Sequence, residues 1–317
     1  MERDDRIRVV FADGEELLFP PVAGASVLVS ADRAGHTLAS NCRAGTCRTC
    51  RASDANGDEV LLCSTPAAAG VSFDLPYRRA DMVAPSSRKA RLNGFARVSR
   101  SVWEVRYRLQ FPLPFLPGQY VEASFPGIER PRRFSMANAP SQKEQVLHVR
   151  DLPGGAMSAY LNGRAMPDDL FSVRGPFGTF YLRATGKPKL FVSGGTGLAP
   201  IVAMLSTIDA DRSPPLAAVA GFAHQDDAYG LERLRELAAA LPLELVFAVD
   251  GAGGGGWPGI VANPVAALRA VRSVPLAGGT EAYLCGPPAM VAAARADLLS
   301  RGLAAGDILN EEFAHDA

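Results

Sequence analysis

Four of the five cysteines of this 317-residue chain fall between Cys42 and Cys63, and the fifth, Cys285, stands alone far downstream. Thiols crowded into so short a stretch suit metal better than a disulfide scaffold, which spreads its cysteines and follows an export signal. Two other kinds of chemistry-bearing residue recur. Arg132-Arg133-Phe134-Ser135 sets cations and a hydroxyl beside an aromatic ring, and Pro153-Gly154-Gly155 precedes Met157 and Ser158. Ser193-Gly194-Gly195-Thr196-Gly197 and Cys285-Gly286-Pro287-Pro288 are glycine turns, each preceded by an apolar run. Glycines at a strand-to-helix turn let backbone N–H groups reach a phosphate at the helix N-terminus, where the helix dipole favours negative charge. A ring with a hydroxyl and arginines nearby suits a flat cofactor that carries a pyrophosphate.

Cys42, Cys47 and Cys50 are spaced C-x4-C-x2-C with Cys63 as a distant fourth, the spacing of plant-type [2Fe–2S] ferredoxins. Four thiolates must converge on two irons, and the small Ala44 and Gly45 let backbone amides approach the sulfurs. A structural zinc site or a set of free buried thiols is the alternative. Zinc sites usually present two C-x2-C pairs, and here only Cys47 and Cys50 form one. No C-x-H motif accompanies the cysteines, which excludes a Rieske centre. Cys50 and Cys63 enclose only twelve residues, a much shorter insert than plant-type ferredoxins carry. A hairpin at Asn56-Gly57 is expected there, with less shielding of the cluster on that side.

The elements that must position these residues fall into three blocks. Residues 7–11 and 17–19 read as strands around Asp13-Gly14, Ser26 as a cap for a short helix, and residues 71–75 as the close of a first domain, 1–77. Residues 78–91 are polar and aperiodic and are read as a linker. Residues 92–186 alternate in strands between Pro-Gly turns, as an antiparallel β-barrel does. Residues 187–317 alternate strand and helix, the pattern of an α/β parallel sheet that binds nucleotides. The chain balances 33 Lys and Arg against 33 Asp and Glu, which disfavours a nucleic-acid partner reached through a basic field. No apolar run reaches the roughly 18 residues of a membrane span, and the charged N-terminus does not read as a signal peptide. A cytoplasmic protein with no membrane partner is expected.

Taken together, these motifs resemble the ferredoxin–NADP reductase superfamily, and within it the reductase components of bacterial multicomponent oxygenases that carry an N-terminal ferredoxin domain. The resemblance spans the whole chain in three consecutive blocks. It implies a β-grasp ferredoxin domain of α+β class, an FAD-binding barrel and an NAD-binding α/β domain. The family's R-x-Y-S flavin motif maps onto Arg132, Phe134 and Ser135, with Phe134 in place of the usual tyrosine. By this resemblance Ser135 bonds the flavin N5 region and Arg132 binds the FAD pyrophosphate. His148, Val149 and Arg150 line the cofactor, and Gly155, Met157 and Ser158 cradle its phosphates. Gly194, Gly195, Thr196 and Gly197 hold the NAD pyrophosphate, Cys285, Gly286 and Pro287 flank the nicotinamide, and Phe313 packs near the flavin. Cys42, Cys47, Cys50 and Cys63 ligate the cluster.

No stretch is left over for a substrate-oxidising site. The chain therefore reads as an electron-transfer enzyme passing electrons from NADH to FAD, then to [2Fe–2S], then to a terminal oxygenase of the Rieske, di-iron or cytochrome P450 kind. The order follows from cofactor chemistry, because only flavin handles both two electrons and one. A non-oxygenase acceptor such as a sugar-deoxygenation dehydrase, or a redox-sensing iron–sulfur protein, are the alternatives. After Phe222 come Ala223, His224, Gln225, Asp226 and Asp227, with no Lys or Arg before Arg233. A 2′-phosphate would find no cation there, so NADH is expected over NADPH, with Asp227 as a dinucleotide contact.

Overall fold

A computed structural model describes residues 5–45, 48–251 and 255–313. Two compact units divide the chain: Met1–Pro85 with Pro176–Thr179, and Ser86–Gly175 with the chain from Phe180 onward. Among the described residues no helix is long and apolar enough to cross a membrane.

The first unit carries β1 (Ile7–Val10), β2 (Glu16–Phe19), α1 (Val27–Arg33), β3 (Arg51–Asp54), β4 (Glu59–Leu61) and β5 (Ser72–Asp74). Its sheet runs β2-β1-β5-β3-β4. The β1–β2 hairpin turns at Gly14, whose φ of 84° lies in the left-handed region that glycine adopts without penalty. Ile7 and Val9 point inward and Arg8 outward, the alternation a half-buried strand imposes. Ser26 caps α1 by accepting a hydrogen bond from the Val29 amide at 3.3 Å. Val27, Leu28 and Ala31 bury one face of that helix.

In the second unit the strands β6 (Ser86–Ser99), β7 (Val102–Leu109), β8 (Tyr120–Ser124), β9 (Arg132–Ser135), β10 (Glu144–Arg150) and β11 (Leu170–Phe177), with α2 (Ala156–Gly163) before β11, come first. They form one sheet in the order β10-β7-β6-β11-β8-β9. The sheet's ends approach at an isolated bridge between Met136 and Leu147. Leu92, Val105, Tyr107, Val121, Leu147 and Phe171 fill its interior. Strand β6 starts inside the segment whose polar composition suggested a linker. Residues 88–91 pair antiparallel with β11, and Ala90 and Leu92 are buried while Lys89 and Arg91 face out. The charged residues there are the outer face of a strand.

The chain continues through β12 (Lys189–Gly194), α3 (Leu198–Leu205), β13 (Leu216–Phe222), α4 (Leu231–Ala240), β14 (Leu243–Val249), β15 (Ile260–Val261), α5 (Pro264–Ala267), β16 (Glu281–Gly286), α6 (Pro288–Ser300) and β17 (Ile308–Glu312). The sheet order is β15-β14-β13-β12-β16-β17, and its pairings are parallel. Strands β12, β13 and β16 are buried along their whole length, as parallel strands covered on both faces must be. Phe191 joins the apolar cluster on one face with α3 and α4, and Leu190 and Val192 join the cluster on the other with α6. The order in which strands are added reverses at β12, with β13 to one side and β16 to the other. The crevice at their carboxyl ends is therefore the topological switch point where such sheets bind ligands.

Candidate functional site

In the first unit the short Cys50–Cys63 insert is the β3–β4 hairpin. Gly57 turns it with φ of 83°, and the Asp54 carboxylate accepts from the Asn56 and Asp58 amides at 2.9 and 3.0 Å. At its open end the Leu62 amide donates to the Cys50 carbonyl at 3.0 Å, so Cys63 lies one residue beyond a residue paired with Cys50. Among the described residues Cys42, Cys50 and Cys63 form no disulfide, and Cys42 Sγ accepts from the Ala44 amide at 3.4 Å. Arg43, Gly45 and Arg48 take positive φ values of 54, 75 and 55°. For the arginines this costs strain of the kind that collects at functional loops. Ion pairs from Arg43 to Asp32 and from Arg48 to Glu59 tie the loop to α1 and β4. Among the described residues no three His, Cys, Asp or Glu side chains converge closely enough to hold an ion, and Cys47 lies outside the described residues. Soft thiol donors with an amide aimed at one sulfur fit an iron–sulfur cluster.

In the second unit β9 carries Arg132, Phe134 and Ser135, of which Ser135 is 5% exposed. Its hydroxyl donates to Glu311 Oε2 at 3.0 Å. Along β10, Leu147 and Val149 point into the core of the antiparallel sheet while His148 and Arg150 alternate to the other face. The Val149 side chain therefore packs in the core and can serve a cofactor only through its backbone. Met157 is likewise a core residue. Gly155 starts α2, which has no side-chain cap, and Gly154 makes the turn before it with φ of 73°. Ser158 Oγ accepts from the Leu152 amide at 2.7 Å, closing that turn. An uncapped helix start and an aromatic-hydroxyl strand in the same unit fit a flavin dinucleotide.

His148 is 8% exposed at its side chain, and burial pushes its pKa down to about 4. The ring is neutral at pH 7. Its Nδ1 lies 3.1 Å from the Tyr229 hydroxyl.

The two glycine turns of the parallel sheet meet at the switch point. A Cβ on Gly197 would fall 2.2 Å from the Cys285 carbonyl oxygen, and one on Gly194 would fall 2.9 Å from Pro287 Cδ. Gly286 has φ of 148° and no room for a side chain against the Gly194 backbone. Thr196 sits in the one-turn 3-10 helix between Gly195 and Gly197. Cys285 is fully buried, and burial together with the nearby Glu311 carboxylate raises its thiol pKa well above the usual value. It stays a neutral thiol. Cys285 and Glu311 are register partners across β16 and β17, and the Phe313 amide donates to the Gly286 carbonyl at 2.9 Å. Phe313 packs against the cluster containing Cys285 and Tyr283. The C-terminal segment is thus the last strand of the sheet.

Asp227 is engaged by the β6–β7 turn. Its carboxylate accepts from the Ser101 hydroxyl at 2.8 Å and from Arg100 Nη2 at 3.0 Å. Burial works to raise its pKa, but these hydrogen bonds and the fields of Arg100 and Arg150 hold it below the usual carboxylate range. Glu311, Tyr229, Arg100 and Ser101 belong to the site without having been singled out in the sequence. Glu311 had a signal, since it sits two residues before Phe313; the others lie in turns with no motif.

Comparison with known proteins agrees with this arrangement. Residues 10–68 match a 2Fe-2S iron-sulfur cluster binding domain, residues 89–181 an oxidoreductase FAD-binding domain and residues 191–296 an oxidoreductase NAD-binding domain. The reductase component of the naphthalene 1,2-dioxygenase/salicylate 5-hydroxylase systems of Ralstonia sp is 31% identical, over 86% of this chain and 88% of that protein. The toluate 1,2-dioxygenase electron transfer component of Pseudomonas putida is 29% identical over 98% of this chain and 99% of its own. Among solved structures, the Amycolatopsis cytochrome P450 reductase GcoB superposes with a TM-score of 0.72 at 27% identity, covering 97% of this chain and 98% of that one.

Proposed function

From the premise that the chain belongs to the reductase, or electron-transfer, components of bacterial oxygenase systems, we propose that it supplies a terminal oxygenase with electrons drawn from NADH. When bound, FAD accepts a hydride's two electrons and the [2Fe–2S] cluster passes them on singly. The observation that carries the reading is the 3.0 Å hydrogen bond from Ser135 to Glu311. It joins the flavin motif on β9 to the strand paired with Cys285, so the residues read as flavin-side and nicotinamide-side lie in one small region.

In this reading Arg132 and the start of α2 take the FAD pyrophosphate, and Arg150 and His148 face the cofactor from β10. Ser135 faces the N5 edge, and its single proton, given to Glu311 here, reaches N5 only when that bond is released. Gly194, Gly195, Thr196 and Gly197 give backbone room to the NAD pyrophosphate, and the neutral Cys285 thiol, Gly286 and Pro287 border the nicotinamide. Phe313 covers the flavin side of the same crevice. Cys42, Cys47, Cys50 and Cys63 hold the cluster within a domain of residues 1–77 and the β-grasp kind, and the antiparallel sheet is read as a barrel. The relatives' oxygenases are the model for the acceptor, whose active centre is Rieske, di-iron or cytochrome P450. A cytoplasmic location keeps the thiolate ligands reduced.

The dinucleotide is NADH. With Asp227 engaged by Arg100 and Ser101, the exposed carboxylate next to the end of β13 is Asp226, with His224 Nδ1 3.3 Å from it. Steady-state turnover with cytochrome c as acceptor tests both parts. A higher kcat/KM for NADH than for NADPH is expected, and Asp226→Arg should move the ratio towards NADPH by severalfold. Reduction of the cluster without sustained turnover would instead mark a redox sensor.

A further inference from the structure

Residues 224–229, between β13 and α4, grip the FAD-binding half of the same compact unit at several points. The Arg100 amide donates to the Asp226 carbonyl at 3.0 Å. The Arg100 guanidinium meets the Asp227 carboxylate through Nη2 at 3.0 Å and Nε at 3.3 Å, and Ser101 adds its hydroxyl at 2.8 Å. Two residues on, the Tyr229 hydroxyl meets His148 Nδ1 at 3.1 Å, with the rings edge-to-face 4.9 Å apart. The same hydroxyl reaches the Gly195 carbonyl at 3.4 Å. A hydroxyl has one proton to give, so serving both partners requires that His148 donate from Nδ1 while Tyr229 donates to Gly195. The Ser101 carbonyl in turn accepts from the Asp151 amide at 2.8 Å, just past the end of β10.

Contacts between domains of one chain are ordinarily loose and tolerate relative motion. The Tyr229 contact is not of that kind, although Arg100 meets Asp227 at the surface. Tyr229 is 4% exposed and the His148 side chain 8%. A buried polar pair contributes less to stability than apolar packing would, but it fixes one arrangement, because any other leaves a buried polar atom unpaired. What Tyr229 fixes is specific: β10 on the flavin side is tied to Gly195, the second glycine of the nicotinamide-side turn. Hydride transfer is the step that needs such registration, since a displacement of about 1 Å can cost on the order of a hundredfold in rate.

We propose that Asp227 and Tyr229 are positioning residues that lock the NAD-binding half onto the FAD-binding half in the geometry hydride transfer requires. The proposal rests on the NADH-to-FAD reading above. It assigns Asp227 to holding the two halves together, in place of contacting the dinucleotide.

The test is anaerobic stopped-flow reduction of the holoprotein by NADH, with rates expressed per bound flavin. Arg100→Asp and Asp227→Arg should each lower the limiting rate on the order of tenfold, with the NADH dissociation constant little changed. The double reversal, Arg100→Asp with Asp227→Arg, should recover most of the loss. Tyr229→Phe, which keeps the ring and removes the hydroxyl, should also lower the limiting rate, and light-driven reduction of the flavin should proceed as in the parent in every variant. Parental limiting rates in the single variants, or a double reversal no faster than either single, would overturn the proposal. So would variants that lose NADH affinity at an unchanged limiting rate, since Asp227 and Tyr229 would then be dinucleotide contacts. A parent protein that neither dinucleotide reduces would overturn the underlying reading and the lock with it.

Discussion

Ser135 and Glu311 lie 176 positions apart and share one hydrogen bond, which makes them a unit in any functional test. Ser135→Ala and Glu311→Gln should each slow flavin reduction by NADH on the order of 10- to 100-fold, the range that a hydrogen bond to a charged group supplies. Their combination should be little worse than the poorer single variant, because removing either partner already breaks the pair. Stopped-flow traces that multiply the two defects would show that the residues act separately, and an unchanged rate in Ser135→Ala would remove it from the flavin. The cluster's visible spectrum should be unaffected in all three. His148 supports a second expectation. Its folded pKa is depressed to about 4 against roughly 6.5 in an unfolded chain. Between those values the unfolded state binds more protons than the folded one, so the contribution of neutral His148 is full above pH 6.5 and is lost as pH falls towards 4. The loss amounts to about 3 kcal/mol at most. Chemical denaturation at pH 7 and pH 4.5 should show a smaller acid loss for His148→Gln than for the parent, and equal losses would mean that His148 is not buried neutral.

At the scale of elements, the central strands carry the site at one end and a buried ion pair at the other. Lys189 at the start of β12 meets Glu281 at the start of β16 at 2.6 Å, with 5 and 7% of the side chains exposed. Tyr283 donates to the same carboxylate at 3.0 Å. Lys189→Met should cost about 3–5 kcal/mol by leaving Glu281 buried and unpaired, and Lys189→Met with Glu281→Leu should recover much of it. Urea unfolding measures the loss. Flavin reduction at 25 °C should stay parental in protein that remains folded, because Gly194 lies at the far end of β12. The glycine turns were legible in the sequence because spacing and residue type together state their chemistry. So were the β1–β2 hairpin at Asp13-Gly14 and the helix cap at Ser26. Strand β6 was not, since its outward Lys and Arg masked a period-2 pattern in which only Ala90 and Leu92 face inward. The β6–β7 turn was silent for a different reason: Arg100 and Ser101 matter through Asp227, 127 and 126 positions away, and no local pattern records such a contact. Val149 and Met157 stood in the flavin motif by position, yet their side chains face the core.

On the scale of the whole molecule, three cofactor domains in one chain make a wire only if each passes electrons to the next. Cys63→Ser should leave NADH-dependent flavin reduction intact and abolish delivery to a one-electron partner. Full-rate delivery from a cluster-free variant would mean that electrons leave directly from the flavin. The short β3–β4 hairpin beside Cys50 should also leave the cluster open to oxidants, so iron should be lost under air faster than from a relative with a longer insert; equal loss would remove that role from the hairpin. The most direct test of the whole is an anaerobic titration of the purified holoprotein with NADH, followed by visible absorption and by electron paramagnetic resonance. Uptake of about three electron equivalents per chain is expected, two at FAD and one at the [2Fe–2S] cluster, with the cluster's signal appearing only as the flavin is reduced. Flavin reduction that never reaches the cluster, or stoichiometric zinc in place of iron and sulfide, would contradict it.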